Sequence, residues 1–256
     1  MQKILNRLEN LKKKYPIYNN FFDFYGKILI TRKNFSKPKI ERNLKINEEF
    51  PLLENFKIDL EHAQGLFFVL CQNLKDIKEI KSKIEKIENY YLKHPHELKK
   101  IFKDFLKKGI DNFLLKFLIF HSLKPSLEEC MKIVKDKIKD INWIKGCCPI
   151  CGHYPYMAIL KKDGKRFVKC AFCSYEWQIE RIFCPFCGQK NHEKIKYFEV
   201  EKEPGYRVYV CDECKRYLKT VDETMIENVA DLELVDVATL YLDVLAREKG
   251  YKNYFS

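Results

Sequence analysis

The chain has 256 residues, 46% of them hydrophobic and 33% charged, with a formal net charge of +12. That length suits one large domain or two ordinary ones, and the apolar content suffices for a packed core. No apolar run approaches the roughly 18–20 residues needed to cross a bilayer, because the stretch from Phe113 to Phe120 is short and interrupted by Lys116. The start of the chain is charged throughout and lacks the apolar core of a signal peptide, so a cytoplasmic protein without membrane insertion is expected.

Residues 1–145 read as an all-α bundle. Candidate helices run from Gln2 to Lys14, Ile17 to Ile30, Leu60 to Asn73 and Lys75 to Leu92, and Thr31 to Leu52 reads as a long polar loop. From Leu98, the positions Ile101, Phe102, Phe105, Leu106, Ile110, Phe113, Leu114, Phe117 and Leu118 step by three and four along one helix face. The stretch His121–Ser126 with Pro125 is expected to end that helix, with Ser126 and Glu129 boxing the start of another. This part is basic: residues 1–150 carry 31 Lys/Arg against 19 Asp/Glu, while residues 151–256 carry 17 of each. Such an excess makes a lysine-rich solvated surface, or attracts nucleic acid, an acidic protein or a phosphorylated cofactor.

The pattern changes near Gly146. Cys148-Pro149-Ile150-Cys151-Gly152 leads to a strand, Tyr156–Leu160; an Asp163-Gly164 turn follows, and Arg166–Lys169 returns to Cys170-Ala171-Phe172-Cys173. The same design recurs: Cys184-Pro185-Phe186-Cys187-Gly188, a strand Lys194–Val200, a turn at Pro204-Gly205, then Tyr206–Val210 and Cys211-Asp212-Glu213-Cys214. A last helix spans Asp231 to Lys249, its apolar face set by Leu234, Val237, Ala238, Tyr241, Leu242 and Leu245, with Gly250 stopping it.

Eight of the 11 cysteines lie in these four Cys-x-x-Cys turns. Each turn sets two sulfurs on one side of a tight loop, and two turns complete a tetrahedron around a metal ion. A thiol–disulfide site would need one such pair at a helix start inside a βαβ unit, which neither repeat offers. Each hairpin returns its two turns to one end of a ribbon. Cys148, Cys151, Cys170 and Cys173 are therefore expected to share one ion, and Cys184, Cys187, Cys211 and Cys214 another. A pairing of Cys170 and Cys173 with Cys184 and Cys187 is the alternative. Zinc and iron both accept four thiolates. Cys147 reads as a bystander or a reactive thiol, Cys71 and Cys130 as helix core, and His153 and His192 as surface residues beyond closed sites. The sequence holds no phosphate loop, nucleophile elbow or dinucleotide fingerprint.

Residues 148–155, 166–177, 181–188, 211–219 and 236–243, with Gly250-Tyr251 after them, resemble the formate dehydrogenase accessory protein family, FdhE, in order and spacing. One departure is Val235-Asp236, where the family tends to have paired aspartates. The resemblance implies an α+β multidomain chain. Its parts are a helical domain (1–145), two tandem rubredoxin-like or zinc-ribbon modules (146–182 and 183–220) and a C-terminal helix (221–256) packing back on the core. It further implies a non-catalytic cytoplasmic maturation chaperone that binds the catalytic subunit of formate dehydrogenase, a molybdenum or tungsten enzyme, with zinc or iron at both centres. Trp177, Arg181, Tyr217, Lys219, Asp236 and Asp243 are the expected partner-binding residues, and the basic helices suit the phosphates of the client's molybdopterin. Two other functions compete: a nucleic-acid-binding zinc ribbon, opposed by the neutral charge of the ribbons, and a rubredoxin-type electron carrier.

Overall fold

Apolar residues three and four apart make the first part of the chain helical, and short turns between strands make the second part a sheet. The computed structural model describes residues 2–45, 49–53, 56–105, 111–138, 143–201, 203–226, 229 and 231–254. Contacts divide the chain into two units, residues 1–44 with 56–130, and residues 45–55 with 131–256.

The first unit contains α1 (Gln2–Lys14), α2 (Asn19–Asn34), α3 (Leu60–Leu74), α4 (Lys81–Lys93), α5 (Pro95–Asp104) and most of α6 (Phe113–Val134). Asp59 caps α3 by accepting the His62 N–H at 3.0 Å, and Pro95 opens α5, where a missing donor costs nothing. Helix α3 buries Ala63, Leu66, Phe67, Leu70, Cys71 and Leu74, with the Phe67 ring edge-on to Tyr91 and Phe102.

Two expectations for this unit fail. The periodic face from Leu98 to Leu118 belongs to two helices, α5 and α6, each with its own inward stripe; Leu106 and Ile110 lie outside the described residues. Asn112 starts α6 by accepting the Leu115 N–H at 3.0 Å. The helix then runs through Pro125 instead of ending there. Pro125 cannot donate to the His121 carbonyl, a defect of about 3 kcal/mol. Burial of Leu118, Ile119, Leu123, Leu127 and Cys130 along the same helix offsets it. Ser126 is consequently no cap: its buried hydroxyl accepts the Asp59 N–H at 3.4 Å.

The second unit is built on one six-stranded sheet, ordered β3-β2-β1-β6-β5-β4. Its strands are β1 (Pro155–Leu160), β2 (Arg166–Cys170), β3 (Glu176–Ile179), β4 (Ile195–Glu199), β5 (Tyr206–Cys211) and β6 (Arg216–Asp222). Each sequence repeat is a three-stranded antiparallel ribbon, and the two ribbons fuse where β1 pairs parallel to β6, Met157 opposite Lys219. Parallel pairing aligns the ribbons start to start, so both pairs of cysteine turns gather at one end of the sheet.

The expected last helix is two, α7 (Leu232–Ala238) and α8 (Leu240–Glu248), separated at Thr239. The Thr239 hydroxyl donates to the Val235 carbonyl at 2.8 Å, which favours a break there. Both helices pack on the sheet: Leu232 and Val235 against Met157, Ile159 and Val221, and Leu242 and Ala246 against Val208, Val210 and Tyr217.

One polar network fastens these helices to β6. Lys219 Nζ donates to Asp243 Oδ2 at 2.6 Å and to the Asp236 carbonyl at 2.7 Å, and pairs with Asp236 Oδ1 at 2.8 Å. Tyr217 donates its hydroxyl to Asp243 Oδ1 at 2.7 Å. Burial pulls the Lys219 pKa down, but Asp236 and Asp243 outweigh it and hold the ammonium above the ordinary lysine value. Its stabilising charge is therefore fully present below that ordinary value and lost only as pH rises through the folded one. Substituting Lys219→Ala leaves buried Asp243 without its cation, with half-exposed Asp236 beside it, and is expected to cost about 3 kcal/mol, read as a lower denaturant midpoint.

Candidate metal centres

A Cys-x-x-Cys turn reverses the chain sharply enough that the residue after its second cysteine takes a left-handed conformation. Gly152 (φ 74°), Ser174 (φ 63°), Gly188 (φ 79°) and Lys215 (φ 56°) occupy that place in all four turns. Glycine meets the demand without strain in the two turns that open a ribbon, whereas Ser174 and Lys215 adopt it at a cost. The turns close by backbone hydrogen bonds: Gly152 N–H to Cys148 O at 2.8 Å, Gly188 N–H to Cys184 O at 2.9 Å and Lys215 N–H to Cys211 O at 2.9 Å.

The sulfurs assemble as the hairpins require. Cys148, Cys151, Cys170 and Cys173 form one group and Cys184, Cys187, Cys211 and Cys214 the other, all ligand atoms within 4.8 Å of one another in each. Four sulfurs about 2.3 Å from a central ion lie about 3.8 Å apart in a tetrahedron. Cys148 and Cys173 are separated by 3.7 Å, Cys151 and Cys170 by 3.4 Å, and both Cys184–Cys214 and Cys187–Cys211 by 3.7 Å. The donor set and spacing fit a thiophilic ion such as zinc or iron. Burial pushes the Cys151 and Cys173 thiols well above their usual pKa, and Cys214 up to about 11. Hydrogen bonds from its three partner sulfurs instead pull Cys170 well below its usual pKa despite burial. Each quartet therefore mixes a ready thiolate with thiols whose protons a cation would displace.

The centres differ in enclosure. All four sulfur-bearing residues of the first are buried, whereas in the second Cys187 is exposed and Cys214 half-buried. The first is also covered from outside its repeat: Leu52 N–H donates to Pro149 O at 3.0 Å and Leu53 N–H to Ile150 O at 2.9 Å. The expected polar loop from Thr31 to Leu52 therefore ends as a strap on this turn, with Phe50 against Trp143 at 4.5 Å. His153 is not a ligand. Its ring stacks on Phe172 at 4.2 Å and its Nδ1 lies 3.1 Å from Cys151 O. His192 is exposed. Cys71 and Cys130 are buried thiols raised to about 12 and about 11 by desolvation, as core packing requires. Burial raises Cys147 as well, away from the thiolate that reactivity needs.

Most of the residues expected at a partner surface are not on one. Trp177 is 4% exposed, its indole N–H donating to Lys145 O at 3.2 Å, and Tyr217, Lys219 and Asp243 are buried in the network beneath α7 and α8. Asp236 is half-exposed, and Arg181 alone of the six stands in solvent. The motif Tyr-Leu-Lys with two distant aspartates thus has an internal explanation, the satisfaction of one buried ammonium. Sequence reasoning missed Arg166, whose 1% exposure sets it among the largest fully buried side chains. It also missed Gly146, where a Cβ would overlap the Pro185 backbone in the second ribbon's first turn.

Comparisons with known proteins agree along the chain. Residues 147–181 match the family model "FdhE, central domain" and residues 182–254 match "FdhE, C-terminal domain". An FdhE homologue of Aquifex aeolicus is 26% identical over 262 residues, covering 96% of this chain and 90% of its own. FdhE of Escherichia coli O127:H6 is 32% identical over 111 residues, 41% of this chain and 34% of its own. The crystal structure of FdhE from Pseudomonas aeruginosa superposes with a TM-score of 0.72 at 19% identity, covering 97% of this chain and 91% of that one.

Two outcomes test these centres. Cys170→Ser is expected to remove the ion of the first quartet and leave that held by Cys184, Cys187, Cys211 and Cys214, as counted by metal analysis. Gly188→Ala adds a Cβ with nothing within 4 Å of it, so its cost is backbone strain alone. About 1–2 kcal/mol should disappear from the stability of the loaded protein in a denaturant titration.

Proposed function

We propose that this chain, matched by two FdhE models over residues 147–254, is a formate dehydrogenase accessory protein that binds that enzyme's catalytic subunit during maturation. It acts without catalysis of its own, in the cytoplasm, with an ion at each quartet. The observation that carries this reading is the pair of tetracysteinyl centres on one fused sheet, within the 147–254 stretch that matches both FdhE models. Among the described residues no helix is long and apolar enough to cross a membrane. A sheet clamped by two ions presents a surface of fixed shape, and a binding partner then loses little ordering entropy to the accessory protein.

The exposure of Cys187 favours one further reading, electron transfer through an iron ion at the second centre. An all-zinc protein that supports full formate dehydrogenase activity would exclude it.

Tagged chain purified without oxygen from cells making formate dehydrogenase is expected to retain the catalytic subunit. Enrichment no greater than on an unrelated bait, in repeated trials, would contradict the assignment.

A further inference from the structure

Arg166 begins β2 of the first ribbon, yet its side chain serves the second. Its guanidinium lies over the Tyr209 ring, 4.1 Å from the centroid. Nη1 donates weakly to the carbonyls of Phe183, at 3.3 Å, and Arg181, at 3.4 Å, on the segment leading into Cys184. Nε and Nη2 are buried with no hydrogen-bond partner on the protein, and no carboxylate lies within ion-pair reach of Arg166 among the described residues. A cation out of water without a counter-charge costs several kcal/mol, so a chain that keeps one has a compensating anion.

The compensation is nearby. Arg166 lines a narrow cleft together with Cys184, Cys211 and Arg216. Arg216 stacks over Tyr254 at 4.7 Å and over Phe186, the third residue of the Cys184 turn, at 5.9 Å. Four thiolates around a divalent ion carry a net charge of about −2. Two guanidinium groups on the same cleft balance it. A free anion in this cleft would instead meet the repulsion of the loaded centre.

We propose that Arg166 is the buried counter-charge of the second metal centre, a positioning residue whose cation stabilises the loaded thiolate quartet and slows release of its ion. Arg216 supplies the outer part of the same balance. The first centre, enclosed by apolar side chains and the strap at Leu52, does not depend on Arg166. The inference rests on the second quartet holding a divalent ion, not on the identity of any client.

Cadmium-loaded protein tests it, because each quartet gives its own cadmium-113 resonance and Cys187→Ser assigns the second. Arg166→Gln keeps donors for the two carbonyls and removes the charge. Under a chelator challenge, the second ion is expected to leave about 10–100-fold faster than in the unsubstituted protein, with the first unchanged. Arg166→Lys should restore most of the retention. Equal release from Arg166→Gln and the unsubstituted protein would overturn the proposal, as would equal loss from Arg166→Gln and Arg166→Lys. If Arg166→Gln releases both ions because it does not fold, Arg216→Gln decides: loss of the outer charge on the same cleft must speed release of the second ion relative to the first, and an unchanged ratio overturns the charge balance. Failure of the unsubstituted protein to take up a second cadmium ion would instead sink the metal reading itself.

Discussion

Four sulfurs that must converge on one point constrain everything else in the second unit. Each ribbon has only three strands of four to seven residues, so its own core is thin. It leans on its fused twin, on α7 and α8 and on the ion that its turns would hold. Metal–thiolate bonding contributes on the order of 10 kcal/mol per zinc site, comparable with the whole stability of an ordinary domain. That energy is available only if the turns are tight, which explains left-handed backbone at Gly152, Ser174, Gly188 and Lys215 alike. It also explains a buried guanidinium with no carboxylate beside it.

Fusion of the ribbons through β1 and β6 converts two small modules into one platform. Aromatic packing continues the joint at the cysteine end, where Tyr154 lies 5.9 Å from Phe186 and both lie against Tyr254. On the other side of the strands, Lys219 and its two aspartates tie α7 and α8 down. The two centres inherit unequal surroundings from this arrangement. One is sealed by a strap from residues 49–53, and the other opens to solvent at Cys187. Ligand chemistry is the same in both, so differences in lability or reactivity come from enclosure and charge.

The quartets were legible in the sequence because metal binding imposes fixed spacing, and hairpin turns at Asp163-Gly164 and Pro204-Gly205 dictated which turns pair. Strands β1, β2, β4 and β5 were legible for the same reason. Strand β3 showed its alternation, Trp177 and Ile179 inward, but over only four residues. Strand β6 was hidden by Lys219, Thr220 and Asp222, polar residues at the centre of a sheet that only tertiary partners make tolerable. Those same polar residues read as a surface motif, which is why buried side chains were expected at a docking face. Pro125 misled in the opposite direction: a local rule about proline yielded to burial along the rest of α6. Arg166 left no local trace, since its role depends on a second ribbon that starts 18 residues later.

The most direct measurement is amide hydrogen exchange on the loaded protein and on protein stripped of its ions by chelator. If sulfur–metal bonds hold the platform, the amides of all six strands lose protection on stripping and regain it when zinc is restored. Strand amides that exchange as slowly without ions as with them would contradict that dependence.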